Sequence, residues 1–178
     1  MALQSLVILV VAAVVTALSA LIAFPLLRRA GVVDVPSHRS SHTLSTVRGG
    51  GIAIGCGITV ATILAMVWSV SEDGVFGLGG VLLPIGFLVL TWCYSAIGMS
   101  DDLDSLRPAG RLIGQVILAL LFSAIIAMFS TQGIAHVIAF AVIGVTTVNA
   151  VNFVDGLNGY VTEWTIVTAG WFAFVGSW

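Results

Sequence analysis

The sequence predicts an all-α fold, a polytopic bundle of transmembrane helices, and three observations lead to this prediction. The 178 residues are 59% hydrophobic and only 8% charged, and their mean hydropathy of +1.16 is far above that of a water-soluble domain. A bilayer core of about 30 Å requires roughly 20 apolar residues per helix, and the chain contains five such runs and the start of a sixth. The runs are unbroken, whereas membrane strands alternate polar and apolar residues over about ten positions.

The predicted helices follow one another closely along one membrane-embedded domain, residues 1–178. They cover residues 3–27, 51–70, 78–98, 112–130 and 134–151, and a sixth begins near residue 161 and is cut short by the end of the chain. The first run is longer than the apolar segment of a signal peptide and is not preceded by Arg or Lys. It is therefore expected to remain as a helix.

The positions of the Arg residues predict the orientation. Up-and-down threading places every Arg on one side of the membrane, in the connections after the first and third helices, whereas the opposite connections have none. The Arg residues are Arg28, Arg29, Arg39, Arg48, Arg107 and Arg111. Because cytoplasmic loops carry an excess of positive charge, these connections are predicted to be cytoplasmic and the N-terminus periplasmic.

Three polar segments share this predicted cytoplasmic face. They are "RRAGVVDVPSHRSSHTLSTVRGGG" (28–51), "MSDDLDSLRPAGR" (99–111) and "NAVNFVDGLNGY" (149–160). The opposite connections are short and acidic or made of small residues. We therefore expect the function of the protein to lie at the cytoplasmic surface.

Half of the acidic residues lie in two of these segments, as Asp101, Asp102, Asp104 and Asp155. Hard carboxylate oxygens suit magnesium, which usually takes one or two carboxylates and completes its shell with water and substrate phosphates. The two Cys residues lie far apart inside apolar runs, which argues against zinc. Taken alone, "DDLD" is also typical of a solvated turn between two helices.

The first segment supplies groups that could hold phosphate oxygens: Arg39, Arg48, His38, His42 and the glycines 49–51. Arg binds phosphate through a planar fork, and glycines let backbone amides approach an anion. The glycines could equally serve close helix packing. Carboxylates for a metal, Arg for phosphate and a membrane edge together suggest phosphoryl transfer that involves a lipid.

The third segment places Asn149, Asn152 and Asp155 at successive gaps of three, near one face of a helix. Polar groups at membrane depth are costly, so these side chains are expected to have a partner or a functional role.

Together the three segments resemble a known family, the polyprenyl-phosphate N-acetylhexosamine-1-phosphate transferases of glycosyltransferase family 4, relatives of phospho-MurNAc-pentapeptide translocase. The resemblance lies in "DVPSHRSSHTLSTVRGGGIAI", "GMSDDLDSLRPAGRLIGQ" and "NAVNFVDGLNGY", which occur in the family's order and span nearly the whole chain. The Arg-Ser-Ser-His wording is most similar to the branch that initiates O-antigen synthesis.

The resemblance implies transfer of an N-acetylhexosamine 1-phosphate from a UDP-sugar to undecaprenyl phosphate, with release of UMP. It implies the bacterial cytoplasmic (inner) membrane as the location, Mg²⁺ as cofactor with Mn²⁺ as a substitute, and a product that starts a lipopolysaccharide or other cell-envelope glycan. Both direct attack by the lipid phosphate and a two-step route through an Asp nucleophile fit these residues.

Matched residue by residue, Asp101 and Asp102 correspond to the family's paired catalytic aspartates, and Asp155 corresponds to its metal-binding aspartate. Arg39 joins the substrate-binding set because of its chemistry. The predicted substrate-binding residues are Asn149, Asn152, Arg39, His42, Arg48, Gly49 and Gly50. The sequence departs from the family pattern in two places: Asn158 stands where a second Asp is common, and residues 45–47 stand where Pro-Thr-Pro is common.

Family members are about twice as long, with ten or eleven helices and a later His-containing loop, so the chain is expected to represent the N-terminal half of that bundle. It is then either a piece of a transferase, inactive alone, or a short protein that binds lipid phosphate or nucleotide sugar. A small transporter subunit is an alternative class, although its charges would lie at mid-helix. The sequence leaves a homodimer open, and a net charge of −2 gives no support for nucleic-acid binding.

Overall fold

The computed structural model describes residues 2–35, 44–73, 77–103, 106–130 and 133–154, and in addition residues 163, 165–169 and 171. Its long helices are α1 (Ala2–Arg29), α2 (Gly51–Asp73), α3 (Leu78–Leu103), α4 (Pro108–Met128) and α5 (Ile134–Val154). All five are long and apolar enough to cross a membrane. The predicted all-α bundle is therefore confirmed, and the protein is a multi-pass membrane protein. The described residues between 163 and 171 are helical, in agreement with the predicted sixth helix.

Each helix packs against the next one along the chain. The connections after α2, α3 and α4 are short, and Gly49 and Gly50, just before α2, lie near Leu27 and Phe24 of α1. Neighbouring helices are therefore antiparallel, and the ends of α1, α3 and α5 lie at the same end of the bundle as the beginnings of α2 and α4. This end carries the three polar segments. Its assignment to the cytoplasmic side stays a prediction from the Arg residues.

Small residues make the closest helix contacts. Among the described residues, the buried apolar side chains within helices are Ala53, Ala119 and Ala141. A methyl group added at Gly57 of α2 would collide with the side chain of Thr16 and lie 2.9 Å from the carbonyl oxygen of Ala12, both on α1. Many Leu, Ile and Val side chains point outward instead. This distribution is typical of membrane helices, which pack through small residues and face lipid with large apolar ones.

The end of α1 is closed by a Schellman motif. Gly31 has a positive φ of 76°, the N–H of Val32 donates to the carbonyl of Leu27 (2.9 Å), and the N–H of Gly31 donates to that of Arg28 (3.2 Å). Val32 is buried. Arg28 and Arg29 occupy the last turn of α1, where a cation interacts favourably with the helix dipole.

A two-stranded antiparallel pair, which we did not predict, follows α1. Strand β1 (Val33–Asp34) pairs with β2 (Thr46–Val47), so that Val33 lies opposite Val47 and Asp34 opposite Thr46. Strands of two residues are too short to produce an alternating sequence pattern. The pair brings the two ends of the first polar segment together directly above α1 and α2.

The second polar segment is more helical than predicted. Helix α3 continues to Leu103 rather than ending near residue 98, and α4 begins at Pro108 rather than near residue 112. Proline favours the first turn of a helix because its missing N–H would have no partner there. The prediction followed the apolar run, but a helix continues beyond it wherever backbone hydrogen bonds can form. Asp101 and Asp102 therefore lie in the last turn of α3.

Candidate active site

Asp101 is held by two groups from the chain that follows it. Its Oδ2 accepts a hydrogen bond from Nη1 of Arg111 at 2.6 Å, and its Oδ1 accepts one from the backbone N–H of Leu106 at 3.0 Å. The Asp101 and Arg111 side chains are 29% and 27% exposed, so water screens this ion pair only in part. The pair fixes the last turn of α3 against the first turn of α4.

Both charges of this pair lie at the helix end that disfavours them. A carboxylate is destabilised near a helix C-terminus, and a cation is destabilised near an N-terminus, by roughly 0.3–1 kcal/mol each. Asp101 is in the last turn of α3, and Arg111 is in the first turn of α4. Helix stability therefore does not explain either residue, whereas their mutual ion pair does.

The amide of Asn149 is oriented by two acceptors. Its Nδ2 donates to the backbone carbonyl of Val145 at 2.8 Å and to Oε1 of Gln115 at 2.6 Å. A carbonyl oxygen can only accept, so the atom facing Val145 must be the nitrogen. The Oδ1 of Asn149 consequently points away from both partners and remains available as an oxygen ligand.

Helix α4 connects the Asp101 and Asn149 groups. Arg111, which holds Asp101 from α3, and Gln115, which holds Asn149 from α5, are four residues apart on α4. That spacing puts them on the same helix face, about 6 Å apart along the axis. The backbone carbonyl of Gln115 also accepts a hydrogen bond from the Tyr94 hydroxyl of α3 at 3.1 Å.

The first polar segment contains a second ion pair. Nη2 of Arg48 donates to Oδ1 of Asp34 at 2.7 Å, and the two side chains are 42% and 33% exposed. The N–H of Arg48 donates to the carbonyl of Val32 at 3.1 Å, which extends the strand pair by one bond. Arg48 has five N–H donors in total, so this pair leaves part of the guanidinium fork for a phosphate.

Gly49 brings the first two segments into contact. Its φ of 83° is in the left-handed region, which other residues rarely adopt. A methyl group built on it would lie 2.7 Å from Cε of Met99 on α3 and 3.2 Å from Cδ1 of Leu27 on α1. Gly49 therefore has both a conformational and a packing role. Its neighbour Met99 precedes Asp101 by two residues on α3, so Gly49 lies close to the end of that helix.

Several predicted site residues are not in these contacts. Asn152 is exposed on α5, and Gly50 packs near Phe24. Asp102 is half-buried beside Asp101. Arg39, His42 and Asp155 lie outside the described residues.

The comparison with known families adds an independent observation. Residues 84–178, more than half of the chain, match the model of glycosyl transferase family 4. The chain belongs to glycosyl transferase family 4. The family resemblance found in the three motifs is thereby confirmed, and the matched region includes Asp101, Asn149 and their partners on α4.

Individual members of family 4 align over most of this chain. It is 27% identical over 160 residues to a decaprenyl-phosphate N-acetylglucosaminephosphotransferase of Mycolicibacterium smegmatis, which covers 79% of the chain and 37% of the relative. It is 26% identical over 179 residues to the protein of that name from Mycobacterium leprae, covering 89% of the chain and 42% of the relative.

A relative with another name also aligns, a phospho-N-acetylmuramoyl-pentapeptide-transferase of Corynebacterium diphtheriae. It is 28% identical over 167 residues, which cover 72% of the chain and 44% of the relative. The chain thus spans less than half the length of these curated relatives. No solved structure matches it significantly.

The donor atoms of this family 4 site suit a magnesium ion. Among the described residues no group of three His, Cys, Asp or Glu side chains could enclose a metal. Magnesium does not require one, since it usually takes one or two carboxylates and completes its shell with water and substrate phosphates. If a magnesium ion bound here, Asp101 and Asp102 would offer carboxylates, and Asn149 would offer the amide oxygen left by its two hydrogen bonds. Asp155, the predicted metal ligand, stays a prediction.

Sequence reasoning missed the partners that orient the predicted residues. From Arg111 the sequence predicted only the orientation, and it predicted no role for Asp34 or Gln115. One signal was present: Arg111 and Gln115 are separated by four residues in "RLIGQ", the spacing that puts two polar side chains on one face of a helix.

Proposed function

We propose that this chain forms the part of a membrane transferase that moves an N-acetylhexosamine 1-phosphate from a UDP-sugar to a polyprenyl phosphate and releases UMP. The reaction forms a bond between a lipid phosphate oxygen and the phosphorus next to the sugar, and it breaks the bond from that phosphorus to UMP. The product is a lipid-linked sugar diphosphate on which a cell-envelope glycan can be built.

One observation carries this proposal. Within the family 4 region of a membrane bundle, α4 holds a carboxylate from α3 and an amide from α5 on one face, through Arg111 and Gln115. A lipid phosphate and a nucleotide sugar meet only at a membrane surface, which is where the ends of these helices are expected to lie. The names of the mycobacterial relatives agree with this chemistry.

The residues of the chain have separate roles in this proposal. Arg48, with the backbone N–H groups of Gly49 and Gly50 at the beginning of α2, binds phosphate oxygens. The remaining donors of Arg48 are suited to this role because Asp34 holds only one edge of the guanidinium. Asn149 binds substrate through its Oδ1, and Asn152 lies about one turn further along α5. Arg39 and His42 extend the phosphate site.

Asp101 and Asp102 act at the reacting phosphates. The ion pair with Arg111 keeps the Asp101 carboxylate in one place, so the two aspartates can orient the lipid phosphate before reaction. A phosphate monoester has a second pKa of about 6 and is already a nucleophile at neutral pH. Alignment of the reactants therefore matters more in this site than a strong base does.

We propose Mg²⁺ as the cofactor, with Asp155 as its principal ligand and Mn²⁺ as a substitute. When bound, the ion would neutralise charge that develops on the diphosphate during transfer. The Asp101, Asp102 and Asn149 oxygens would complete or support its shell.

We further propose the cytoplasmic face of the bacterial inner membrane as the site of reaction. The six Arg residues favour this orientation. Undecaprenyl phosphate is the carrier that the sequence motifs suggest, whereas the mycobacterial relatives are named for decaprenyl phosphate. Both carriers therefore belong in the assay, together with UDP-N-acetylglucosamine and UDP-MurNAc-pentapeptide as donors.

The test measures UMP release from each donor in membranes that contain the chain, one carrier and magnesium. We expect release with UDP-N-acetylglucosamine, and we expect Asp102→Asn and Asp155→Asn to reduce it by about 100-fold or more, a loss typical of a group that stabilises transition-state charge. Asp73→Asn, at the opposite end of α2, is the matched control and should retain activity.

Release of UMP only with UDP-MurNAc-pentapeptide would assign the chain to the branch of the corynebacterial relative instead. The chain would also be tested together with the part of the Mycolicibacterium smegmatis relative that lies outside the alignment. If a correctly inserted chain released no UMP in either format, the proposed transfer would be wrong.

A further inference from the structure

We propose that Gln115 is a positioning residue that holds the Asn149 amide in the orientation the site requires. The proposal rests on the proposed function, because it assigns Asn149 a role toward substrate. It concerns a residue in the apolar part of α4, outside the three polar segments in sequence but in contact with the first residue of the third.

Gln115 is a buried amide in a helix that faces lipid. Its side chain is only 4% exposed, and it lies about 10 Å along α4 from the first residue, Pro108. An amide buried in an apolar environment is costly unless it is hydrogen-bonded. The Oε1 of Gln115 meets this condition by accepting from Asn149 on α5, so Asn149 stabilises the buried acceptor.

The hydrogen bond determines which end of the Asn149 amide faces the site. Gln115 Oε1 and the Val145 carbonyl both accept from Nδ2 of Asn149. Without Gln115, the amide would keep a single acceptor within its own helix and could rotate about its side-chain torsions. Loss of the bond would therefore spread the Oδ1 atom over several positions, which reduces the time it spends aligned with substrate.

The place of Gln115 on α4 couples this orientation to the rest of the site. Arg111, one turn earlier on the same face, holds Asp101, and the Tyr94 hydroxyl of α3 bonds to the Gln115 carbonyl. A single helix face thereby sets the spacing between a carboxylate from α3 and an amide from α5. Gln115 acts through Asn149 and is not expected to touch substrate itself.

The test is a double-mutant cycle of Gln115→Met and Asn149→Leu in the full chain, or in the chain plus supplement if activity needs it. Both substitutions keep the approximate shape and remove hydrogen bonding. We expect Gln115→Met alone to lower kcat by about 10- to 100-fold, as loss of a ligand-orienting partner usually does. KM for the UDP-sugar should change less than about twofold, because the phosphate-binding groups are intact.

In the Asn149→Leu background, Gln115→Met should have almost no further effect on kcat, since the amide it orients is gone. Gln115→Glu, which keeps an acceptor for Asn149, should recover part of the activity. Ser123→Ala is the matched control: Ser123 is also on α4 and also 4% exposed, but it lies eight residues beyond Gln115, about 12 Å further along the helix axis. It should leave kcat unchanged.

Two kinetic results would overturn the proposal: equal losses of kcat from Gln115→Met in both backgrounds, or no loss at all. Thermal unfolding of the same four proteins distinguishes failure of this inference from failure of the proposed function. If no member of the cycle transfers sugar phosphate, decreases in Tm that are not additive still support a fixed Gln115–Asn149 contact. Additive decreases would show that the two residues are independent and would refute the inference.

Discussion

The two halves of the bundle are held together by different means. Helices α1 and α2 approach closely at Gly57, which packs against Thr16 and the backbone of Ala12. Helices α3, α4 and α5 are joined by polar side chains, through the Asp101–Arg111 ion pair and the Gln115–Asn149 hydrogen bond. The region that matches family 4 begins in α3 and contains the polar joints.

The two halves differ in the free-energy cost of the groups that they bury. Close packing of small residues stabilises membrane helices without removing any polar group from water. Buried charges and amides do not have this advantage, and inside a membrane they usually mark a functional site. The contact of α1 with α2 at Gly57 is thus a packing contact, whereas the polar contacts among α3, α4 and α5 call for a second purpose, which the proposed transfer chemistry would provide.

Among the substitutions that test this comparison, Arg111→Gln should lower the free energy of unfolding the most. Loss of one partner from a buried pair costs about 3–5 kcal/mol, and because this pair is about a quarter exposed we expect Arg111→Gln to lower the free energy of unfolding by roughly 2–3 kcal/mol. Denaturant titration in detergent measures it. Arg107→Gln, an exposed neighbour on the same connection, is the control. Equal losses from both variants would mean that net charge, not the pair, stabilises this end of the bundle.

Substituting Gly57 tests the other half of the bundle. Gly57→Ala should lower the free energy of unfolding by about 1–3 kcal/mol, since overpacking forces the two helices apart. The matched control is Gly144→Ala on α5, where an added methyl group meets nothing within 4 Å. That variant should be neutral or slightly stabilising because Ala favours helix. If the two variants behaved alike, close approach would not be what holds α1 against α2.

The smallest change in the free energy of unfolding is expected at the more exposed ion pair, Asp34–Arg48. Asp34 and Arg48 make a bond of nearly the same length as Asp101 and Arg111, 2.7 Å against 2.6 Å, but they are more exposed. Asp34→Asn should lower the free energy of unfolding by less than about 1 kcal/mol. This loss should shrink further as salt is added. A loss as large as that from Arg111→Gln would show that burial does not distinguish the two pairs.

Most of the fold could be predicted from sequence because membrane helices are specified by length and apolarity. All five helices begin and end within a few residues of their predicted limits, except where charged residues continue a helix. The apolar run ends before Asp101, but the helix continues to Leu103. Residues that were predicted to lie in a connection therefore form the last turn of α3.

The partners in the site could not be predicted in the same way. The motifs indicated Asp101 by the family resemblance, and Asn149 also because polar groups at membrane depth are costly. Arg48 and Asp34 are 14 positions apart, and they meet only because two short strands pair. Gln115 and Asn149 are 34 positions apart, and their contact depends on how α4 and α5 pack.

The strand pair also bears on how such proteins diversify. Val33 opposite Val47, with the Asp34–Arg48 bond above them, fixes both ends of the intervening segment to the top of α1 and α2. The entropy of closing a loop rises only slowly with its length. The number of residues between the strands can therefore change during evolution at little cost to the packing of α1 and α2. The strand pair thereby separates variation in this connection from the stability of the helix bundle.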